Sequence, residues 1–199
     1  MYRRWGKRAI DIFGAGLTLV VLSPVLLVGA LVVALRLGRP VLFKQKRAGL
    51  GSRAFNVLKF RSMTDAKGPD GTLRPDSERL TPLGVFLRES SIDELPSLLN
   101  VLKGEMSLIG PRPFIYDYVD LYTPEQARRH DVRPGITGWA QVNGRNALSW
   151  EEKFRLDVWY VDNVSLWLDI KIVFLTLKKL IIRDGISAPG SATMERFRG

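Results

Sequence analysis

Cysteine is absent from the 199 residues, and histidine occurs once, as His130. The first absence excludes disulfides, thiolate zinc sites and cysteine nucleophiles. The second excludes a multi-histidine metal centre, and any serine–histidine–aspartate arrangement would depend wholly on His130. Acid, base or nucleophile work therefore falls to carboxylates. These too are unevenly spread, with no acidic residue between Asp11 and Asp65. Lys and Arg number 30 against 20 Asp and Glu, a formal net charge of +10. That balance implies an anionic partner: nucleic acid, lipid headgroups or a phosphorylated substrate. No helix-turn-helix signature, zinc finger or RNP-like aromatic motif is evident, so nucleic acid is not expected. Internal repeats and low-complexity tracts are also lacking, and the length suits one domain with a sizeable core.

What the chain does have is one long apolar run. Ile12 to Leu35 (IFGAGLTLVVLSPVLLVGALVVAL) holds 24 residues without a charge. At about 1.5 Å per residue it can cross a bilayer core of roughly 30 Å. It is too long for a signal peptide, and no small-residue cleavage site precedes a polar mature chain. Arg3, Arg4, Lys7 and Arg8 precede it, and Arg36, Arg39, Lys44, Lys46 and Arg47 follow, so the positive-inside bias keeps both ends in the cytoplasm. Ser23-Pro24 lies at the midpoint. Proline removes a helical hydrogen bond there, and a serine hydroxyl can re-satisfy a freed carbonyl. A kinked spanning helix and a helix that enters, bends and returns to the same face are both compatible with these residues.

Beyond the run, Val41-Leu42-Phe43 and Phe55-Asn56-Val57-Leu58 read as short strands around the Gly49–Ser52 turn. Asp65 to Arg79 (DAKGPDGTLRPDSER) is polar, rich in glycine and proline, and reads as a loop. Helices are expected over Leu80–Ser90, Glu94–Lys103, Phe114–Tyr122, Pro124–His130 and Trp150–Asp162, whereas Val132–Arg145 is glycine-punctuated and mostly not helical. Ser165–Arg183 is long and apolar. It is either a core helix or an interfacial one, with Trp167 and its lysines at headgroup level. The tail from Ser187 is small and polar and is expected to be weakly ordered.

The acids that invite chemistry are Asp93 and Glu94, in SSIDELPSLLNVLKGEMSLIGPRP. Their plainest reading is a helix start. Ser91-Ile92-Asp93-Glu94 fits the S-x-x-E capping box, acids suit the first turn, and Pro96 is tolerated there. Around them the basic residues recur at positions suited to an anion. Lys59 and Arg61 end a strand, Arg88 precedes the acids by a few residues, and Arg133 and Arg145 flank the glycine-rich loop. Arg112 sits between two prolines on a stiff backbone, which suits bidentate phosphate recognition. Glycines 135, 138 and 144 would let backbone N–H groups approach an anion. Each arginine alone reads as a solvated charge. Together they point to a diphosphate facing two carboxylates, a site that usually takes a divalent cation.

These residues resemble the small monotopic bacterial phosphoglycosyl transferases, which start glycoconjugate assembly on polyprenol phosphate. The matching stretches, in family order from Lys7 to Phe154, are KRAIDIFGA with Ser23-Pro24, VLFKQKRAG, FNVLKFRSM, SSIDELPSLLNVLKGEMSLIGPRP and HDVRPGITGWAQVNGRNALSWEEKF. The resemblance implies an α/β fold, mostly helical with a small sheet. It implies a re-entrant membrane helix broken at Ser23 and Pro24 over residues 1–39, a cytoplasmic catalytic domain with interfacial helices over 40–186, and a tail over 187–199. The enzyme would lie on the cytoplasmic face of the bacterial inner membrane. Asp93 is implied as the nucleophile on the β-phosphate of a UDP-sugar, giving an aspartyl phosphosugar and UMP. Polyprenol (undecaprenyl) phosphate then takes the phosphosugar. Glu94 is implied as the second acid, Mg²⁺ as the cofactor with Asp93 as a ligand, and Lys59, Arg61, Arg88, Arg112, Arg133, Gln141 and Arg145 as substrate-binding residues. The small members' length favours an N-acetylated amino sugar. The alternatives are a one-step ternary-complex transferase and a non-catalytic basic scaffold on the membrane surface.

Overall fold

The computed structural model describes residues 2–144, 147–182 and 196–199. The apolar run forms two helices, α1 (Lys7–Val21) and α2 (Ser23–Leu37), bent by 64°. The bend has a local cause. Pro24 has no N–H to give to the Val20 carbonyl four residues earlier, and Ser23 Oγ donates to that carbonyl instead at 2.8 Å. Among the described residues no single helix is long and apolar enough to cross a membrane, whereas this bent pair passes that test by length and composition. One side of α1 is fixed by polar contacts. Buried Asp11 accepts from Ser107 Oγ at 2.9 Å and from the Leu108 N–H at 3.0 Å. Arg8 donates to the Val101 and Leu102 carbonyls at 2.7 and 3.0 Å. The other side is apolar and open, with Phe13, Leu17 and Val20 exposed.

β1 (Leu42–Ala48) and β2 (Ala54–Phe60) form an antiparallel hairpin in which Leu42 faces Phe60 and Ala48 faces Ala54. Alternation gives the hairpin two working faces. Phe60 packs with Val33 and Leu87 beside α2, while Phe55 and Val57 pack with Ala15, Leu98, Val101 and Met106. After a turn at α3 (Asp76–Arg79), α4 (Pro82–Glu89) starts with Thr81 Oγ1 accepting from the Gly84 N–H at 3.0 Å. A 3₁₀ helix (Ile92–Ser97) then leads into α5 (Leu98–Lys103), so the expected Glu94–Lys103 helix is split in two. Buried Asn100 ties this unit to the hairpin. It accepts from the Leu58 N–H at 3.0 Å and donates to the Asn56 carbonyl at 2.8 Å.

The expected small sheet is two separate pairs. β3 (Ser107–Ile109) and β4 (Gly135–Thr137) are parallel, with Ser107 opposite Gly135 and Ile109 opposite Thr137. Gly135 and Gly138 allow the close approach of this crossing. A Cβ at either would come within 2.1 Å of the Gly110 backbone. The Phe114–Tyr122 segment forms only a 3₁₀ turn, Tyr116–Leu121. The predicted Pro124–His130 helix shortens to α6 (Pro124–Ala127) and a 3₁₀ turn (Arg128–Asp131), and α7 (Trp139–Val142) adds one turn to the glycine-rich loop. α8 (Trp150–Asp162) opens on a true capping box of Ser149 and Glu152. α9 (Leu166–Ile182) packs Leu168 and Ile172 against Ile109, Tyr160 and Val161. Its buried Asp169 accepts from Lys7 Nζ and Tyr160 Oη, both at 2.7 Å, and from the Tyr2 hydroxyl. Trp167 and Phe174 on its other side are 79% and 69% exposed. Of the predicted tail only 196–199 are described. Phe197 is buried among Tyr118, Trp150 and Phe154, and the expectation of weak order over residues 187–195 lies outside the described residues.

Candidate active site

Asp93 and Glu94 sit in the 3₁₀ helix, immediately after Ser91, whose φ of 57° is left-handed. The predicted capping box does not form. Ser91 makes no side-chain cap, and the Glu94 carboxylate turns away from it to meet two cations. Lys59 Nζ and Arg112 Nη2 donate to Glu94 Oε1 at 2.6 and 2.8 Å. Such charge-assisted bonds outweigh one backbone amide. Burial by itself would raise the Glu94 carboxyl, but Arg112 and Lys59 hold it well below the usual carboxylate range. Asp93 is treated differently. It is buried, accepts no hydrogen bond from any described residue, and has Lys59 Nζ at 3.9 Å from Oδ2. Burial therefore raises its carboxyl, Lys59 offsets this in part, and the neighbouring Glu94 charge adds to it.

Lys59, Glu94 and Arg112 line one small cleft with Arg47, Val57, Ser97, Met106 and Gly135. Arg88 reaches Ser62 Oγ at 3.0 Å and is near enough to Asp93 to favour its ionised form. The other expected basic residues point elsewhere. β2 ends at Phe60, and Arg61 turns to Asp65 at 3.1 Å and to the Met63 and Arg39 carbonyls. Arg133 donates to the Gly104 carbonyl at 2.8 Å, at the far end of α5. Gln141 Nε2 donates to the Ile136 carbonyl at 2.8 Å, leaving its buried Oε1 without a partner. Arg145 lies outside the described residues. His130 does not line the cleft. Its Nδ1 is 2.8 Å from Ser52 Oγ, no carboxylate of the described residues is bonded to it, and burial lowers it to about 4.

Two arginines were not anticipated. Arg47 donates to the Pro113 carbonyl at 3.1 Å and to the Gln45 side chain, while its buried Nε has no partner. Burial and the nearby Arg112 charge push its guanidinium down to about 10. Strand parity was the available signal. Arg47 opposes Phe55 and Lys59 opposes Phe43, so both project from the same face of the hairpin. Arg129 is wholly buried and bonds Asp157 Oδ2 through Nε and Nη2 at 3.1 and 2.7 Å. Its Nη2 also donates to the Arg112 carbonyl at 2.7 Å, and its guanidinium lies 3.9 Å from the Phe114 ring centroid. The Pro-Arg-Pro segment is thus held from behind while its arginine faces the carboxylates.

Residues 2–183 match the model of the bacterial sugar transferase family. The chain is 55% identical over 193 residues to an uncharacterized sugar transferase, EpsL, of Bacillus subtilis (strain 168), covering 97% of this chain and 96% of that one. It is 43% identical over 188 residues to a UDP-glucose:undecaprenyl-phosphate glucose-1-phosphate transferase of Caulobacter vibrioides, covering 89% of this chain and 70% of that protein. A UDP-N-acetylgalactosamine-undecaprenyl-phosphate N-acetylgalactosaminephosphotransferase of Aeromonas hydrophila is 42% identical over 187 residues, covering 90% of this chain and 44% of that protein. With a match over nearly its whole length and relatives that are themselves phosphosugar transferases, the chain belongs to the bacterial sugar transferase family of enzymes.

Proposed function

We propose that this enzyme transfers a phosphosugar from a UDP-sugar to undecaprenyl phosphate by way of Asp93. The observation that carries the proposal is the contrast within the adjacent pair: Glu94 Oε1 accepts from both Lys59 and Arg112, while Asp93 is buried and accepts no hydrogen bond from any described residue beside the same lysine. A carboxylate without hydrogen bonds keeps its lone pairs free for attack. In the first step an Asp93 oxygen forms a bond to the β-phosphorus, and the bond from that phosphorus to the bridging oxygen breaks, releasing UMP. In the second, an oxygen of undecaprenyl phosphate attacks the same phosphorus and the aspartyl–phosphorus bond breaks, returning the carboxylate. Neither step needs a net proton. Lys59, Arg112 and Arg47 steady the diphosphate oxygens, and Arg88 favours ionised Asp93.

Asp93 and Glu94 suit Mg²⁺, an ion that takes one or two carboxylates and completes its shell with phosphate oxygens and water. No cluster of three or more acidic or histidine ligands occurs among the described residues, so the diphosphate would supply the remaining ligands. When bound, the ion neutralises diphosphate charge.

The membrane seat belongs to the same reading. Residues 1–39 form a re-entrant hairpin, 40–186 the cytoplasmic domain and 187–199 the tail, on the inner face of the bacterial inner membrane. Supporting this are the Ser23–Pro24 bend, the bordering cations, and the open apolar sides of α1, α2 and α9. The donor sugar is a hexose or an N-acetylated amino sugar, since the relatives' names include both glucose and N-acetylgalactosamine. Intact-protein mass after incubation with Mg²⁺ and single UDP-sugars, without lipid, tests the route. A gain of one phosphosugar that maps to Asp93 and is lost in Asp93→Asn is expected. UMP formed only when lipid is also present would replace this route with one-step transfer, and no UMP with any donor would leave a membrane scaffold.

A further inference from the structure

The C-terminal end of the chain is tied to the candidate site through a run of contacts. The Phe197 ring centroid lies 5.1 Å from Phe154 and 5.4 Å from Trp150. Trp150 in turn meets Phe114 edge-on at 4.9 Å. Phe114 directly follows Pro111-Arg112-Pro113 and carries the Arg129 guanidinium at 3.9 Å, and Arg129 holds the Arg112 carbonyl at 2.7 Å. Two further bonds fix the same segment: Arg47 to the Pro113 carbonyl at 3.1 Å and the Ala48 N–H to the Phe114 carbonyl at 3.3 Å. The Arg112 side chain itself is 44% exposed, and in this structure Glu94 is its one salt-bridge partner among the described residues. Its direction therefore depends on the backbone that carries it.

We infer that Phe197 is a positioning residue for Arg112, acting through Trp150, Phe154, Phe114 and Arg129. Close-packed aromatic clusters transmit a lost ring because neighbours relax into the vacancy. Trp150 and Phe154 touch Phe197 and also Phe114, whose ring centroid is 6.0 Å from that of Phe154. Relaxation toward an emptied Phe197 site withdraws support from Phe114 and from the arginine stacked on it. The catalytic consequence, though not the coupling itself, rests on the function proposed above.

The experiment has two arms, both on the full chain in lipid nanodiscs. Amide exchange is compared between wild type and Phe197→Ala. The peptide containing Arg112 and Phe114 is expected to exchange at least about threefold faster, while α4 is unchanged. UMP release is then measured for Phe197→Ala, Arg112→Ala and the double variant. Phe197→Ala is expected to lower kcat/KM about tenfold, about 1.4 kcal/mol. In the Arg112→Ala background it should cost less than about twofold, as coupled residues do. Phe197→Leu, which keeps most of the apolar volume, should restore at least half of the wild-type rate. Unchanged exchange at Arg112 and Phe114, faster exchange in α4 as well, or equal fold-losses in both backgrounds would overturn the inference. Wild type that releases no UMP with any donor refutes the catalytic reading instead, and the exchange arm alone then decides the positioning.

Discussion

Arg47→Met removes a guanidinium but keeps most of its apolar stem. At neutral pH the cation carries a penalty. Its value falls from 12.5 to about 10, chiefly through burial and then through Arg112. At about 1.36 kcal/mol per unit this is roughly 3 kcal/mol, reduced to about 1–3 by residual solvent contact. The sign follows from proton linkage. The unfolded chain holds this proton more readily, so the penalty is full below about 10 and is relieved only as pH rises through that value. Against it stand hydrogen bonds to the Pro113 carbonyl and the Gln45 side chain, each worth about 1–1.5 kcal/mol. The two sides nearly cancel, so stability should change by less than about 1 kcal/mol, or a few degrees in Tm. Diphosphate binding loses a buried cation, and removal of one such preorganised contact costs about 3–4 kcal/mol, or about 10²–10³ in kcat/KM. UMP release against donor concentration, with urea unfolding of the same samples, measures both. A kcat/KM within about threefold of wild type, or a loss that tracks unfolding, would refute the assignment of Arg47 to the diphosphate.

Asp93→Asn should abolish UMP release and the covalent mass gain while leaving vesicle binding intact, which co-sedimentation checks. Burial raises the Asp93 carboxyl, so UMP release should decline on the acid side at a pH above the ordinary carboxylate value; Glu94→Gln removes a negative neighbour and should move that limb to lower pH. The Glu94 carboxyl is held low, so its contribution to stability is present above the unfolded value of 4.5 and lost as pH falls below it; wild type and Glu94→Gln should differ in urea midpoint at pH 7 and converge in acid. Asp157→Asn leaves the buried Arg129 charge uncompensated and should cost about 3–5 kcal/mol in urea unfolding. Single cysteines at the exposed positions Arg3 and Lys44 should label from the same side of the membrane, and labelling from opposite sides would rule out the re-entrant hairpin.

How much of this was legible in the sequence depends on the range over which each feature is determined. The bend at Ser23-Pro24 is local chemistry, a missing N–H and a hydroxyl within reach of the freed carbonyl, and so it was readable. The hairpin was readable for the same reason, from alternation and a glycine turn. Capping at Ser91 failed because the Glu94 partners come from 35 and 18 residues away, as Lys59 and Arg112. Lys59 and Arg61 both read as the end of a strand, which placed both with the other cations near the diphosphate. The strand stops between them, and a boundary of one residue decided the outcome. Arg129 and Asp157 sit 28 residues apart in segments that resemble charged helix surface, and only the fold shows that they are buried together.

The buried aspartates bear on the proposed role of Asp93 without reference to any relative. Among the described residues Asp11, Asp93, Asp157 and Asp169 are the buried acids. Asp11 accepts from a hydroxyl and a backbone amide, Asp157 from two guanidinium nitrogens, and Asp169 from an ammonium and two phenols. Each of these three is satisfied, and each joins elements distant in sequence: α1 to β3, α8 to the Pro-Arg-Pro segment through Arg129, and α9 to the N-terminal helix. Burying a carboxylate is costly unless it is hydrogen-bonded, and these three meet that condition. Asp93 accepts no hydrogen bond from any described residue, and its one ion-pair partner among them is Lys59, 3.9 Å from Oδ2. A structural role gives no reason to leave it without a hydrogen bond, since the other three buried aspartates each bond to distant elements. A group that must form its bond to an incoming phosphorus does give one, since every hydrogen bond made to it in the resting enzyme would have to be broken before it reacted.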